Sequence, residues 1–430
     1  MKTLAIRSLG LFLPLLGTIA AWLWCQPGRR TAGAVFLATF WTWPSLIIVQ
    51  VLARTLGWWS FSFTGGGLFG MAGELFLGWA LLWGAIPALL LRRQSLIMTV
   101  AVMTGVDALL MPLCHPVVQL RSSWLTGELV AAAIVLVPAQ LLARWTDRDE
   151  HLPARALLQF LLFTGIVIFL LPALILQITG GLRWHLPSPR FPQGQILLQG
   201  GMLAAILGIS ALQEFVERGR GTPFPFDPPK VLVRSGLYAY VRNPMQLSTT
   251  LLFFILSIAA RSGWIALAAL VSVAYSEGLA AWDEGGDLAE RFGDAAERYA
   301  RGVRRWLPSW WPYVEEPSTI YFAMGCGPCS EVAAWLRSRK TRGLRFVPAE
   351  EHPSIDLERV RYESPDGAVD EGVAAIARAL EHIHFGWAFL GCSARLPIVR
   401  PMLQLIVDAV GGGKRTIRRS SRCQRLKCEE

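Results

Sequence analysis

Residues 157–176 read LLQFLLFTGIVIFLLPALIL, a stretch without a single charged side chain. A helix needs roughly 20 mainly apolar residues to cross the hydrocarbon core of a bilayer, and this run has that length. It is also apolar all round, whereas a surface helix of a soluble domain carries only a stripe. Comparable runs lie at 4–24, 34–53, 68–91, 95–113 and 125–143 on one side of it. On the other side lie 196–215, 247–260 and 264–282, the last two forming a hairpin that turns at Arg261-Ser262-Gly263. The run at 4–24 exceeds the apolar core of about 7–15 residues usual in a secretory signal and reads as a span. The expected fold is an all-α polytopic membrane bundle of about nine spans, followed by a small α/β domain.

Composition agrees. Of 430 residues, 53% are hydrophobic and 17% charged, against roughly 25% charged in soluble domains. Charge is sparse from Thr3 to Trp282 and dense from Asp283 onward. The net charge of +10 comes from arginines in short loops: Arg29 and Arg30, Arg92 and Arg93, then Arg144, Arg148 and Arg155. A longer stretch holds Arg218, Arg220, Lys230, Arg234 and Arg242. With these loops inside, the positive-inside rule places the N-terminus outside and the C-terminal domain in the cytoplasm, in a cytoplasmic (inner) membrane. The partners expected are membrane lipid and a lipophilic small-molecule or lipidated substrate. Nucleic acid is not expected, because no aromatic-plus-basic stripe of the kind used on single strands occurs. Five carboxylates, Glu74, Asp107, Glu128, Glu214 and Glu277, fall within or beside the spans, where acids are costly and suspect. For Glu74, Asp107 and Glu128 the simpler reading is a bond to a neighbouring helix.

Between two spans lies GTPFPFDPPK at 221–230. Four prolines forbid a helix and remove amide donors, and irregular backbone at a membrane boundary needs cover from protein or an aqueous cavity. LVRSGLYAYVRNPM follows at 232–245, then the hairpin, then WDEGGDL at 282–288, running on to Arg291-Phe292-Gly293 and Tyr299. Glu277 and Glu284 are seven residues apart, two helical turns, and so share a face. A pocket built here offers carboxylates for a cation, Arg242 for an anion, and the phenol of Tyr238. The competing reading is an ordinary loop whose charges face solvent.

These pieces resemble the isoprenylcysteine carboxyl methyltransferase family and its phospholipid methyltransferase relatives, over about residues 155–308. The family pattern is GTP-x-P-x-x-PP, then G-x-Y-x-Y-x-R-H/N-P-M, a hairpin, an acidic E-E-x-x-L-x-x-x-F-G helix and V-P-R-W-x-P. The segments 221–229, 236–245, 284–293 and 303–308 match it in order and spacing. The resemblance implies that S-adenosylmethionine is the cofactor, with a lipophilic carboxylate or thiol as acceptor. It implies a cofactor pocket lined by Tyr238, Arg242, Asn243, Pro244 and Glu277, with Glu284 holding the amino or ribose groups. Tyr299 belongs to a closing lid, and Arg305 orients an anionic acceptor. Four positions depart from the pattern: Gly285 for the second glutamate, Gln246 for a tyrosine, Ala296 for an aromatic and Arg304 for the proline of V-P-R.

The tail begins with a short apolar run, Thr319-Ile320-Tyr321-Phe322-Ala323, then Cys326-Gly327-Pro328-Cys329 and an amphipathic stretch at 330–339. Strand, C-x-x-C, helix is the thioredoxin arrangement, in which a helix N-terminus lowers the first thiol's pKa. The tail resembles the DCC-type thiol-disulfide oxidoreductase domain over about residues 318–412, although Ala323-Met324 replaces its usual Asp-Gly. That resemblance makes Cys326 the attacking thiol and Cys329 the resolving one, with a redox protein as possible partner. Zinc shared between Cys326/Cys329 and Cys423/Cys428 is a rival reading, though no metal site is expected. The remaining cysteines, Cys25, Cys114 and Cys392, stand alone and outline no disulfide framework.

The expected organisation is membrane helices at 1–152, a methyltransferase-like segment at 153–312, a thioredoxin-like domain at 318–412 and a basic tail at 413–430. The leading function is membrane methyl transfer with an appended dithiol activity. The alternatives are a membrane-anchored thiol-disulfide oxidoreductase with a non-methylating bundle, and a non-catalytic scaffold.

Overall fold

The computed structural model describes residues 2–65, 67–68, 70–179, 188, 190–224, 227–277, 281–325 and 327–417, with the backbone alone at Leu68, Tyr275, 281–287 and Pro328. Among the described residues, seven helices are long and apolar enough to cross a membrane: α1 Lys2–Cys25, α2 Arg29–Leu56, α3 Gly73–Leu90, α4 Leu96–Cys114, α5 Trp124–Arg148, α6 Leu152–Ile178 and α7 Pro192–Gly219. The hairpin helices α8 Pro244–Ala259 and α9 Gly263–Tyr275 are shorter. At 1.5 Å per residue α8 reaches about 24 Å, short of a hydrocarbon core of about 30 Å; past Tyr275 the chain continues as a π turn through Glu277, and 278–280 lie outside the described residues. Of the about nine spans expected, seven appear among the described residues as long helices, and the other two correspond to the α8–α9 hairpin. A further helix, α10 Ala281–Gly302, breaks at Gly293.

The chain divides into two compact units, Met1–Leu174 with Gly221–Pro228, and Ile175–Arg220 with Pro229–Glu430.

In the first unit, three spans share a device. Pro87, Pro138 and Pro172 each follow a wide π-type turn, at Leu81–Ala85, Ala132–Leu136 and Gly165–Leu170. A proline inside a helix lacks an N–H and collides with the carbonyl four residues back; a widened turn relieves the collision. The carbonyl that Pro87 leaves without its amide is that of Trp83, and Gln140 Nε2 donates to it at 2.8 Å and to Gly84 O at 3.2 Å. Buried Trp59, Trp79 and Trp83 form the core of this unit. At Gly127 a Cβ would come within 2.6 Å of the Trp59 ring, so only glycine lets α5 approach the indole. Two short antiparallel ladders cap the unit: β1 Trp59–Phe61 with β4 Val118–Leu120, and β2 Gly67–Leu68 with β3 Met71–Ala72.

The proline-rich loop at 221–228 belongs to this unit. Its Asp227 carboxylate meets the fully buried Arg155 guanidinium at 2.6 Å, and its Phe224 ring stacks on Phe36 at 5.9 Å. Of the acids flagged in the sequence, Glu74 is paired with Arg7 at 2.7 Å, while Asp107 and Glu128 are buried.

The second unit contains α7, the α8–α9 hairpin, α10 and the tail. The tail holds a four-stranded sheet in the order β6-β5-β7-β8. Strand β5 (Ser318–Phe322) runs parallel to β6 (Leu344–Pro348), with α11 (Gly327–Ser338) between them in sequence. On its other side β5 pairs antiparallel with β7 (Arg361–Glu363), and β7 with β8 (Val369–Glu371). Ile320 lies opposite Phe346 and Tyr362 in the ladder, and Ile320, Phe322, Leu336, Tyr362 and Ile383 are buried together. Three helices end the tail: α12 Val373–Leu380, α13 Phe385–Ala394 and α14 Val399–Val407. The strands of this mixed sheet therefore lie in the C-terminal region, within the same compact unit as α7–α10.

Candidate active site

The segment between α7 and α8 is shaped by two residues that sequence alone makes special. Gly236 has φ +61°, and a Cβ there would sit 3.0 Å from Glu214 Cδ, so the turn requires glycine. Pro244 occupies the first turn of α8, where its missing N–H costs nothing. Between them the chain makes one 3₁₀ turn, Gly236–Ala239, which buries Tyr238 and Tyr240.

The segment following α10 then runs beside this loop. The Arg242 amide donates to Arg304 O at 2.9 Å and the Asn243 amide to Arg305 O at 3.2 Å. The Tyr299 hydroxyl donates to Tyr238 O at 2.8 Å, and its ring meets Tyr313 edge-on at 5.7 Å. The Asn243 side chain lies among Arg242 O at 3.1 Å, Arg305 Nε at 3.2 Å and the Gln246 amide oxygen at 2.8 Å. Glu277, just past α9, faces Arg305 Nε at 3.6 Å. Tyr238, Arg242, Asn243, Pro244, Glu277, Tyr299 and Arg305 thus come together, although they are spread over more than sixty positions of sequence. The Glu284 side chain lies outside the described residues, so its place in the cluster is not part of this geometry.

Two polar atoms in the cluster are buried without a hydrogen-bonding partner among the described residues, Arg242 Nε and the Tyr238 hydroxyl. Burial pushes the phenols of Tyr238 and Tyr299 above their ordinary range, with the Arg242 charge only partly opposing it at Tyr299. Both stay neutral at physiological pH, able to donate or accept a hydrogen bond. The cluster thus gathers a guanidinium, the Glu277 carboxylate facing Arg305, and neutral phenols, groups that recognise charged or hydroxyl-bearing ligands.

The predicted dithiol pair is in the tail, away from this cluster in sequence. Cys329 sits half-buried in the first turn of α11, against the tail core, and Cys326 lies outside the described residues. Cys423 and Cys428, the partners in the rival zinc reading, also lie outside them. Among the described residues no three His, Cys, Asp or Glu side chains converge as a metal site.

Sequence reasoning flagged Glu214 but did not identify its partners. Its carboxylate is fully buried near the end of α7, accepting from Arg378 Nη1 at 2.7 Å and Arg395 Nη2 at 2.9 Å, with Arg218 at 3.9 Å. It also accepts a short hydrogen bond from the Ser235 hydroxyl. Glu381 joins the group, 2.7 Å from Arg395 and 3.2 Å from Arg378. The Tyr240 hydroxyl donates to Glu381 O at 2.6 Å. The tail therefore contacts the loop that carries Tyr238 and Arg242, through Tyr240 and the Glu214 carboxylate that Ser235 also meets. The available signal was two arginines, Arg378 and Arg395, within otherwise apolar helical segments, which require buried acids as partners.

A family model described as phospholipid methyltransferase matches residues 190–294. No curated protein and no solved structure matches the chain. The matched stretch includes Tyr238, Arg242, Asn243, Pro244, Glu277 and Glu284 and ends before Tyr299 and Arg305. It supports a methyltransferase segment within a mostly helical protein whose seven long apolar helices fit a multi-pass membrane bundle.

Proposed function

We propose that the chain is an integral-membrane methyltransferase that uses S-adenosylmethionine and methylates a lipophilic carboxylate or thiol at the cluster around Arg242. The supporting observation is the pairing of 242–243 with 304–305, which gathers Arg242, Asn243, Glu277, Tyr299 and Arg305 and leaves Arg242 Nε without a partner among the described residues. That orphaned donor is the feature that fits the cofactor's carboxylate.

When bound, the cofactor supplies an electrophilic methyl group on a sulfonium. Arg242 binds the donor's carboxylate, and Glu277 and Glu284 hold its positive or hydroxyl-bearing groups. Asn243 keeps Arg305 in place, and Arg305 draws an anionic acceptor into line. Tyr299 closes the site through its bond to Tyr238 O and excludes water. A carboxylate or thiolate needs no general base, so alignment and desolvation carry most of the rate enhancement.

The tail is proposed as a thioredoxin-like thiol-disulfide domain. A parallel β-α-β unit flanked by an antiparallel pair, with Cys329 in the first turn of α11, supports that reading. The inner membrane, with the tail in the cytoplasm, remains the proposed setting, on the arginine distribution alone.

Membranes containing the protein, given methyl-labelled cofactor, test the central proposal. Label is expected in the lipid-soluble fraction, and Arg242→Ala is expected to abolish it. No label above that of membranes lacking the protein would sink the assignment.

A further inference from the structure

Helix α14 is amphipathic in the wrong sense for a water-solvated domain. Ile398, Met402, Leu405, Ile406 and Val410 are each 57–76% exposed. Ile398 at the N-cap with Met402, Leu405 and Ile406, spaced i, i+4, i+7 and i+8, share one face, and Val410 lies just past the helix, in a π turn where its φ/ψ are non-helical. The polar residues instead turn inward: Gln404 accepts from the Val373 amide at 2.9 Å, and Asp408 pairs with Arg359. The polar face thus docks on the domain at the start of α12, and the apolar face points away from it.

Three observations say what covers that face. Next to α14, α13 packs on α7, one of the long apolar helices, and Gln213 of α7 donates to Arg395 O at 2.9 Å. Helix α14 therefore begins four residues after the point where the tail meets the end of a span, within the same compact unit. Leu307 and Trp310 are exposed at the start of α13, where the Phe385 amide donates to Trp310 O at 3.0 Å; an indole at this level is characteristic of the membrane–water interface. The flank is basic. Arg400 and Arg415 are exposed, as is Lys414 in its pair with Glu358, and the sequence continues with Arg418, Arg419, Arg422, Arg425 and Lys427, a composition that attracts anionic lipid.

We propose that α14 lies in the plane of the bilayer interface, its apolar face in lipid and its basic flank on anionic headgroups, as a second anchor that holds the tail against the membrane. The inference does not depend on methyl transfer. Lipid contact is read by placing a photoactivatable diazirine side chain at Leu405 of the full chain, in bilayers of zwitterionic and anionic phospholipid. The controls are Leu203 on the outer face of α7 and the exposed Glu331 of α11. Lipid adducts at Leu405 are expected to be comparable to those at Leu203, several-fold above Glu331, and reduced when anionic lipid is omitted. A Leu405 yield equal to that at Glu331 would overturn the proposal, as would adducts chiefly to protein, which would mark the face as an interface with another chain. Because Leu405 is exposed, the substitution leaves the fold intact, and a Met402 label repeats the measurement independently.

Discussion

Replacing Glu214 by Gln tests the buried network most sharply. The carboxylate is in contact with Arg378 and Arg395, at 2.7 and 2.9 Å, in a site closed to solvent. Removing its charge leaves one excess buried cation, and breaking a buried pair costs about 3–5 kcal/mol. Arg378 keeps Asp370 at 3.0 Å and Glu381 at 3.2 Å, and Arg395 keeps Glu381 at 2.7 Å. Those remaining partners put the expected loss at the lower end, about 3 kcal/mol. Cys392 is a natural reporter. Its thiol is buried within the network, 3.5 Å from Glu381 Oε1 and 3.6 Å from Arg395 Nη2, and reacts only when this part of the unit opens. Its alkylation rate, read by peptide mass spectrometry on the full-length protein, is expected to rise about 100-fold, since each 1.4 kcal/mol is tenfold. Adding Arg395→Gln removes a buried cation as well and is expected to recover part of that loss, a coupling of at least about 1 kcal/mol. A rise of less than about tenfold in the single variant, or strict additivity in the pair, would refute the view that these charges are buried and mutually compensating.

Other outcomes follow from the same coordinates. Gly236→Ala forces a Cβ toward Glu214 at φ +61°; a loss of about 1–2 kcal/mol is expected, together with weaker cofactor binding, measured by thermal unfolding and calorimetry. Burial lowers the pKa of His382 below its ordinary 6.5, so the unfolded chain takes up the proton first. Stability of the tail that is full above pH 6.5 is then lost as pH falls toward the folded value, by at most about 1.4 kcal/mol per pH unit, in urea titrations that His382→Phe should flatten. Asp227→Asn leaves Arg155 buried with Asp149 and backbone carbonyls as partners; the proline-rich loop should loosen, seen as faster tryptic cleavage after Arg220 or Lys230. Unchanged cleavage would mean the pair does not anchor the loop.

Much of this architecture was legible because the bilayer imposes simple rules. Uncharged runs such as 157–176 can only be buried or in lipid, and the strands of the four-stranded sheet all fall after Trp282, where charge becomes dense. Arg242, Asn243 and Pro244 were legible as a unit because their fixed order near a helix start matched a recognisable pattern. The first arm of the hairpin, α8 at 16 residues, is shorter than the other spans; its second arm continues past Tyr275 as a π turn to Glu277, and 278–280 of the apolar run lie outside the described residues. The partners of Glu214 were hidden because Arg378 and Arg395 lie more than 160 positions away, and no local period encodes such a contact. The anchoring of Asp227 by Arg155 was hidden for the same reason. The reversed face of α14 could not be read either, because a period of 3.6 reveals that a helix has an apolar face, not which way that face points.

Calorimetric titration of the full-length protein in lipid nanodiscs with S-adenosylmethionine bears most directly on the methyltransferase reading. One site per chain is expected, abolished by Arg242→Ala while Cys392 stays protected from alkylation. Absence of binding to the wild-type chain, or binding that survives Arg242→Ala unchanged, would contradict the account.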